Sequence, residues 1–453
     1  MGTMQNPLIR IINDIEQARR SVLARRPLDE PVLPAAVLEK IESVFGEPLT
    51  ASQVVQRIIS AVRHEGDAAL YRLTEAIDGV VLSTLEVEAS TIDAAVAQVS
   101  PSTRAAMEAA AKEIEGFHRR QLQNTWIEFD HSGALGQMVR PLDRVGIYVP
   151  GGRAPYPSSL LMAAVPARVA GVKEVIVTTP PTSKGVPPVI LAAARIAGVE
   201  RVFQIGGAMA VAAMAYGTES VPKVDKIVGP GNVFVALAKK YVFGDVGIDQ
   251  VAGPTETLLI ADSWANPVTV AADLLAQAEH DPMATPLLIT DSVSLATEVQ
   301  REVSRQAASL SRRDIAVQAL QNRGAIIVLS SLEEAVEVAN QFAPEHLCLL
   351  TRDPWALLPL VRNAGGVFLG DNSPEVMGDY VAGPSHIMPT GGSARFTSPI
   401  DVAHFVKRIS VVGLSKEGFR KLAKEAIELA EAEGLTAHAK AVKLRLEAGQ
   451  DGA

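Results

Sequence analysis

The run Val145-Gly-Ile-Tyr-Val-Pro-Gly-Gly152 decides the fold class when it is taken with its neighbours, Ser158-Ser-Leu-Leu-Met-Ala-Ala-Val-Pro-Ala-Arg-Val-Ala-Gly171 and Glu174-Val-Ile-Val-Thr-Thr-Pro-Pro181. A short β-branched run ends in a Gly/Pro turn, an Ala-rich helical stretch follows, and a second β-branched run begins. The pattern recurs in Pro187-Pro-Val-Ile-Leu-Ala-Ala-Ala-Arg-Ile-Ala-Gly198 and Arg201-Val-Phe-Gln-Ile-Gly-Gly207. Strands linked by helical crossovers form a parallel sheet, so this half is α/β. Ligands in such sheets bind beyond the carboxyl ends of the strands, which here carry Pro150-Gly-Gly152, Gly206-Gly207 and Gly229-Pro-Gly-Asn232. Each turn could admit a pyrophosphate against helix N-termini, and ordinary tight turns explain the same glycines. None is a dinucleotide fingerprint, because Phe234 stands where GxGxxG needs a small residue, and no Walker A lysine motif exists.

Toward the C-terminus a second unit of the same kind reads Thr255-Glu-Thr-Leu-Leu-Ile-Ala-Asp262, a helix through Leu274, then Thr285-Pro-Leu-Leu-Ile-Thr-Asp291. Two such modules in tandem suggest duplication. In the helix, Leu274, Leu275 and Ala278 mark the buried stripe, and Gln277 and His280, three apart, converge just before Pro282. That is half a metal site, since zinc wants about four N, O or S donors. A helix C-terminus with His280 facing the last carbonyls accounts for the same residues. After a charged helical stretch over 295–322, strands follow at 325–330, 346–350 and 365–370. Glu345-His346 opens the second of these: the pair suits proton transfer if it lines a cleft, and is a solvated strand end if it does not. The segment 363–396 is dense in Gly, Pro and Ser yet holds Asp379 and His386, and long irregular segments of this kind are usually functional. Glu433 and His438 lie close together in the tail, where a surface pair is the simpler reading.

Toward the N-terminus, residues 8–24 read as one amphipathic helix with Leu8, Ile11, Ile12, Ile15, Ala18 and Val22 on one side. From Thr50 to Leu122 the pattern is helical, broken at Asp67 and Gly79, with His64 and His118 read as solvated. Past Asp401 the chain returns to two Lys- and Glu-rich helices. With 453 residues, 48% hydrophobic and 21% charged, the chain is globular; its net charge of −9 leaves no basic stripe for nucleic acid. The single cysteine, Cys348, excludes an internal disulfide and a thiolate zinc cluster and fits a reducing cytoplasm. The first 27 residues have no signal-peptide core, Asp14 and Glu16 argue against a transit peptide, and no apolar run approaches about 18 residues, so no membrane partner is expected.

Taken together, Phe342-Ala-Pro-Glu-His-Leu347, Gly378-Asp-Tyr-Val-Ala-Gly-Pro-Ser-His386, Leu274-Leu-Ala-Gln-Ala-Glu-His-Asp-Pro282, Gly229–Asn232, Tyr148–Gly152 and Glu433-Gly-Leu-Thr-Ala-His438 make the chain resemble the histidinol dehydrogenase family. The resemblance runs from roughly residue 20 to 445. It implies two tandem incomplete Rossmann-like domains with parallel sheets, a helical N-terminal arm and a helical C-terminal tail. The implied boundaries are 1–27 for the arm, 28–143 with 253–395 for the metal and catalytic domain, 144–252 for the NAD domain, and 396–453 for a dimerising tail. The resemblance makes Gln277, His280, Asp379 and His438 ligands of one zinc ion per subunit. His346 becomes the base for the alcohol, and Glu345 the group that activates water on the aldehyde, in two oxidations of L-histidinol by NAD. Thr255, His386 and Glu433 join His346 and the four ligands as substrate contacts, and Tyr148, Met209 and Asn232 line the cofactor cleft. The family also implies a homodimer with a shared site, His438 and Glu433 coming from the other chain.

Three positions depart from the family pattern: Met209 where Gln is common, Thr255 in place of Ser, and Ser385 in a Gly-Pro-Ser-His run where Gly-Thr-Asn-His is common. They leave open a related zinc- and NAD-dependent dehydrogenase of another small polar alcohol, such as a sulfonated diol. A metal-dependent hydrolase using Glu345 as base is the alternative of another class, and a non-catalytic scaffold is a third.

Overall fold

Six parallel strands form the larger sheet of the computed structural model, which describes residues 7–25, 33–151 and 155–448. Their spatial order is Arg10–Ile12, Ala325–Val328, Thr285–Thr290, Glu256–Ala261, His346–Leu350, Gly366–Leu369. The central strands Glu256–Ala261, Thr285–Thr290 and His346–Leu350 are buried at every position, so they read as continuous apolar runs. Five parallel strands form the second sheet, in the order Arg201–Phe203, Glu174–Thr178, Arg144–Tyr148, Lys226–Val228, Gly247–Ile248. The two sheets belong to one compact unit, residues 7–121 with 142–405.

Helices cover the faces because their small apolar residues leave no polar side to expose. Helix Pro157–Val169 is buried from Ser159 through Ala167, and helix Gly207–Tyr216 from Ala208 through Ala215. Crossover helices run antiparallel to the strands they join. The carboxyl edge of each sheet therefore collects helix N-termini, and the amino edge collects helix C-termini.

A second unit comprises residues 122–141 and 406–448. It holds an antiparallel sheet of Trp126–Asp130, Gly133–Pro141 and Val406–Leu414, then helices Lys416–Ala432 and Thr436–Ala448. The reading from the sequence, helix directly after Asp401, missed the strand Val406–Leu414, whose pairing partner Gly133–Pro141 lies far away along the chain.

Two other expectations are corrected. Residues 8–24 are not one helix. Arg10–Ile12 is an edge strand paired with Ala325–Ile327, and only Ile15–Arg20 is helical, capped by Asp14. Adjacent isoleucines suit a strand between two cores: Ile11 packs against the cluster around Leu274 and Val299, Ile12 into the one around Val336 and Leu347. His118 is not solvated but 0% exposed, continuing the stripe Met107, Ala110, Ile114 on helix Pro101–Arg119. Its Nδ1 meets the Gln121 amide oxygen at 2.7 Å, and burial lowers its pKa. Among the described residues no helix is long and apolar enough to cross a membrane.

Candidate active site

Of the groups singled out in the sequence, Glu345, His346, Asp379, His280 and His386 gather at the amino edge of the six-stranded sheet. Glu345 immediately precedes strand His346–Leu350, and Thr255 precedes its neighbour Glu256–Ala261. Gln277 and His280 lie at the C-terminal end of helix Pro267–Ala278, which returns the chain to this edge. Helix Leu332–Phe342 also ends here, at Ala343 in the left-handed region with φ 51°. The general expectation that α/β sites sit beyond carboxyl ends is thus reversed for this sheet. Converging helix C-termini give the edge partial negative charge, which favours a cation.

Backbone groups of Glu256 hold the two catalytic candidates. Its N–H donates to Glu345 Oε2 at 3.0 Å, and its carbonyl accepts from His346 Nδ1 at 3.1 Å. A carbonyl only accepts, so His346 carries its proton on Nδ1 and, when neutral, presents a lone pair at Nε2. That Nε2 is buried without a hydrogen-bond partner and lies 3.4 Å from Asp379 Oδ1. A lone pair facing a carboxylate calls for a proton or a cation between them. In the chain alone the proton answers: burial works against the charge, but Glu345, Asp379 and Glu375 push His346 up to about 10. Phe368 stacks on the ring at 5.9 Å and fixes its plane.

Burial raises Glu345 to about 7, against the pull of His346 and the hydrogen bonds from Thr255 and Glu256. The Thr255 hydroxyl sits between two acceptors, 2.7 Å from Glu345 Oε2 and 2.9 Å from Gln277 Oε1. One hydroxyl has one proton. With Glu345 ionised, Thr255 donates to the carboxylate, and Gln277 is satisfied only by turning its NH2 toward Thr255 and its oxygen away.

Helix Glu375–Tyr380 and the segment that follows it, both after the last strand of the unit, complete the cluster. Burial opposes ionisation of Asp379, but His346, His386 and His280 hold its carboxyl below the usual range. His386 donates from Nδ1 to the Asp379 carbonyl at 2.6 Å and accepts from the Ser159 hydroxyl at Nε2, 3.0 Å. Both ring nitrogens are therefore engaged within the chain, and burial lowers the pKa of His386. His280 is exposed in the single chain, yet desolvation still lowers its pKa, opposed first by Asp379.

Gln277, His280 and Asp379 offer an amide oxygen, an imidazole and a carboxylate, donors that suit zinc in an open, catalytic site. Among the described residues no three His, Cys, Asp or Glu side chains converge to close a metal site on their own. Glu433 and His438 belong to the second unit and are exposed.

Residues expected at the cofactor lie around the carboxyl edge of the five-stranded sheet. Tyr148 ends the central strand, and burial pushes its pKa up to about 12. Its hydroxyl accepts from Gly207 N–H at 3.2 Å, at the start of helix Gly207–Tyr216. Asn232 caps helix Val233–Val242, accepting from Phe234 and Val235 N–H. Met209 is 1% exposed, its side chain inside the core cluster with Phe203 and Ile205.

Three contributors escaped the sequence reading. Glu375 is fully buried and raised to about 7 by burial, with Oε2 accepting from Thr257 Oγ1 at 2.7 Å. Its place four residues before Asp379, on helix Glu375–Tyr380, was the available signal. Arg25 pairs with Glu256 and lies over the Phe342 ring at 3.8 Å, tying the N-terminal segment to the strand that holds Glu345 and His346. Ser159 shows no sequence signal at all.

Fold and site together define an α/β protein in which Glu345, His346, Gln277 and Asp379 share the amino edge of one sheet, while the Gly-rich turns lie at the carboxyl edge of the other. Comparison with known proteins narrows this. The family described as histidinol dehydrogenase matches residues 47–446. The histidinol dehydrogenase of Deinococcus radiodurans is 53% identical over 431 residues, covering 94% of this chain and 98% of the relative. That of Aquifex aeolicus is 52% identical over 393 residues, 86% of this chain and 91% of the relative. The crystal structure of histidinol dehydrogenase from Elizabethkingia anophelis superposes with a TM-score of 0.89 at 36% identity, covering 98% of this chain and 100% of that one. The chain belongs to the histidinol dehydrogenase family, as its motifs led us to expect, and is an oxidoreductase of histidine biosynthesis.

Proposed function

We propose that this protein oxidises L-histidinol to L-histidine through the aldehyde, in two successive hydride transfers at one site, with NAD as acceptor and one zinc ion per subunit. The observation that carries the reading is the placement of His346, whose Nδ1 lies 3.1 Å from the Glu256 carbonyl oxygen and whose buried Nε2 lies 3.4 Å from Asp379 Oδ1.

Gln277, His280 and Asp379 of one chain, with His438 of a second, would hold the metal. Zinc there supplies a positive centre that orients the substrate's nitrogens and offsets the charge of Asp379. With Asp379 engaged as a metal ligand, its pull on His346 would weaken, the His346 pKa would fall toward the working range and Nε2 would serve as the base. His346 then takes the hydroxyl proton as hydride leaves the carbinol carbon for NAD. Glu345, ionising near pH 7, takes a proton from water as that water adds to the aldehyde, and a second hydride leaves for a second NAD. Retention of the aldehyde between the steps protects it from side reactions.

In this reading 144–252 carries NAD, where Tyr148, Asn232 and the helix N-termini line the cleft, with Met209 supporting it from within. Residues 28–143 and 253–395 carry the chemistry, and the tail pairs two chains so that Glu433 and His438 complete the partner's site. Thr255 and His386 flank the substrate. A cytoplasmic setting suits the buried single thiol.

The test incubates zinc-loaded protein with limiting L-histidinol and excess NAD and counts NADH at completion. Two per histidinol is expected. One overturns the double oxidation, and none overturns L-histidinol as the substrate in favour of another alcohol or of metal-dependent hydrolysis.

A further inference from the structure

The turn Gly229-Pro-Gly-Asn232 at the carboxyl edge of the five-stranded sheet is gripped by a buried ion pair that the chemistry does not use. Lys239, on helix Val233–Val242, and Asp249, just after strand Gly247–Ile248, form a salt bridge with both side chains 1% exposed. Both also bind one residue. Asp249 Oδ2 accepts from the Gly229 N–H at 2.8 Å, and Lys239 Nζ donates to the Gly229 carbonyl at 2.9 Å. Gly229 is held at φ +115°, where side chains are disfavoured, and a Cβ on it would lie 2.2 Å from the Tyr148 carbonyl oxygen. The two turns that flank the edge are thus pressed together at one glycine.

Stability does not require this arrangement. Burying two charges costs desolvation that their attraction barely offsets, and a well-packed apolar pair in the same space is often at least as stable. What an apolar pair cannot do is bind a peptide N–H and its carbonyl together.

We propose that Lys239 and Asp249 are positioning residues for the dinucleotide: by clamping both polar groups of Gly229 they hold the turn, before any cofactor arrives, in the shape that receives it. The inference rests on NAD binding at this edge, as proposed above. A preset turn spares the bound complex the cost of ordering it.

The test compares two double variants of the full-length zinc enzyme by NAD titration, histidinol titration and zinc content. Lys239→Met with Asp249→Leu removes the clamp, and the NAD dissociation constant should rise by about tenfold or more while histidinol affinity and zinc content hold. Lys239→Gln with Asp249→Asn keeps neutral donors and acceptors and should stay within about threefold of wild type for NAD. Unchanged NAD affinity in the first variant, or parallel loss of NAD, histidinol and zinc in both, overturns the proposal. Should the first variant not fold, hydrogen exchange of the wild type decides. Slow exchange at Gly229 without NAD supports a preset turn, whereas fast exchange that slows only on adding NAD overturns it. A wild type that fails to bind NAD at all refutes the cofactor assignment instead.

Discussion

Replacing Thr255 with Val keeps the side chain's shape and removes one hydroxyl. That hydroxyl lies within hydrogen-bond reach of both side chains, 2.7 Å from Glu345 and 2.9 Å from the Gln277 amide, so its loss takes a donor from the carboxylate and a partner from the amide. Glu345 is left with the single N–H of Glu256. A hydrogen bond to a charged group contributes about 1.5–3 kcal/mol, and one pKa unit corresponds to about 1.4 kcal/mol. Its removal should therefore lift Glu345 from about 7 by roughly one to two units. Aldehyde oxidation needs the carboxylate, so its rate rises with pH through that pKa, and the acid limb should move to higher pH by the same amount. The alcohol step, which uses His346, should keep its limb. The assay follows NADH formation from histidinaldehyde and from histidinol separately across the pH range, with Thr255→Ser as the rescue that restores the hydroxyl. An unmoved aldehyde limb in the Val variant, or an equal shift in the Ser variant, refutes the reasoning.

Further predictions follow from the same cluster. Glu345→Gln should form one NADH per histidinol and release aldehyde, read by NADH count and aldehyde trapping. His346→Asn should lose about 10²–10⁴-fold in the alcohol step, as expected for removal of a general base. His438→Ala should lose metal by elemental analysis while its circular dichroism stays native. Co-refolding these last two inactive chains should restore one working site per mixed dimer if His438 crosses between chains, and restore nothing if it does not. Burial raises the Glu375 pKa from the ordinary 4.5 to about 7, so its stabilisation is full below about 4.5 and is lost as pH rises to about 7, an upper bound of about 3 kcal/mol. Glu375→Gln should therefore gain in Tm relative to wild type between about pH 5 and 8, and a constant difference would contradict this.

Much of the α/β body was legible because buried parallel strands and their crossover helices imprint local apolar patterns, as in Glu174–Thr178 and Thr285–Thr290. The place of Gln277 and His280 at the C-terminal end of helix Pro267–Ala278 was legible for the same reason, since helix spacing is local. What escaped depends on distant partners. Arg10–Ile12 becomes a strand only beside Ala325–Ile327, and Val406–Leu414 only beside Gly133–Pro141. The engagement of His386 by Ser159 and the Asp379 carbonyl, and the clamp on Gly229, join residues from separate elements and leave no periodic trace. The carboxyl-edge rule describes where helix N-termini collect and fits the Gly-rich turns, whereas Glu345-His346 at the start of a strand and Gln277 at the end of a helix belong with helix C-termini.

The most direct test of the account is anomalous diffraction at the zinc edge from crystals grown with the metal. The account predicts a single peak per subunit bounded by the Gln277 oxygen, a His280 nitrogen and the Asp379 carboxylate, with His438 of a second chain as the fourth donor. A peak elsewhere, or zinc held without those three side chains, would contradict it.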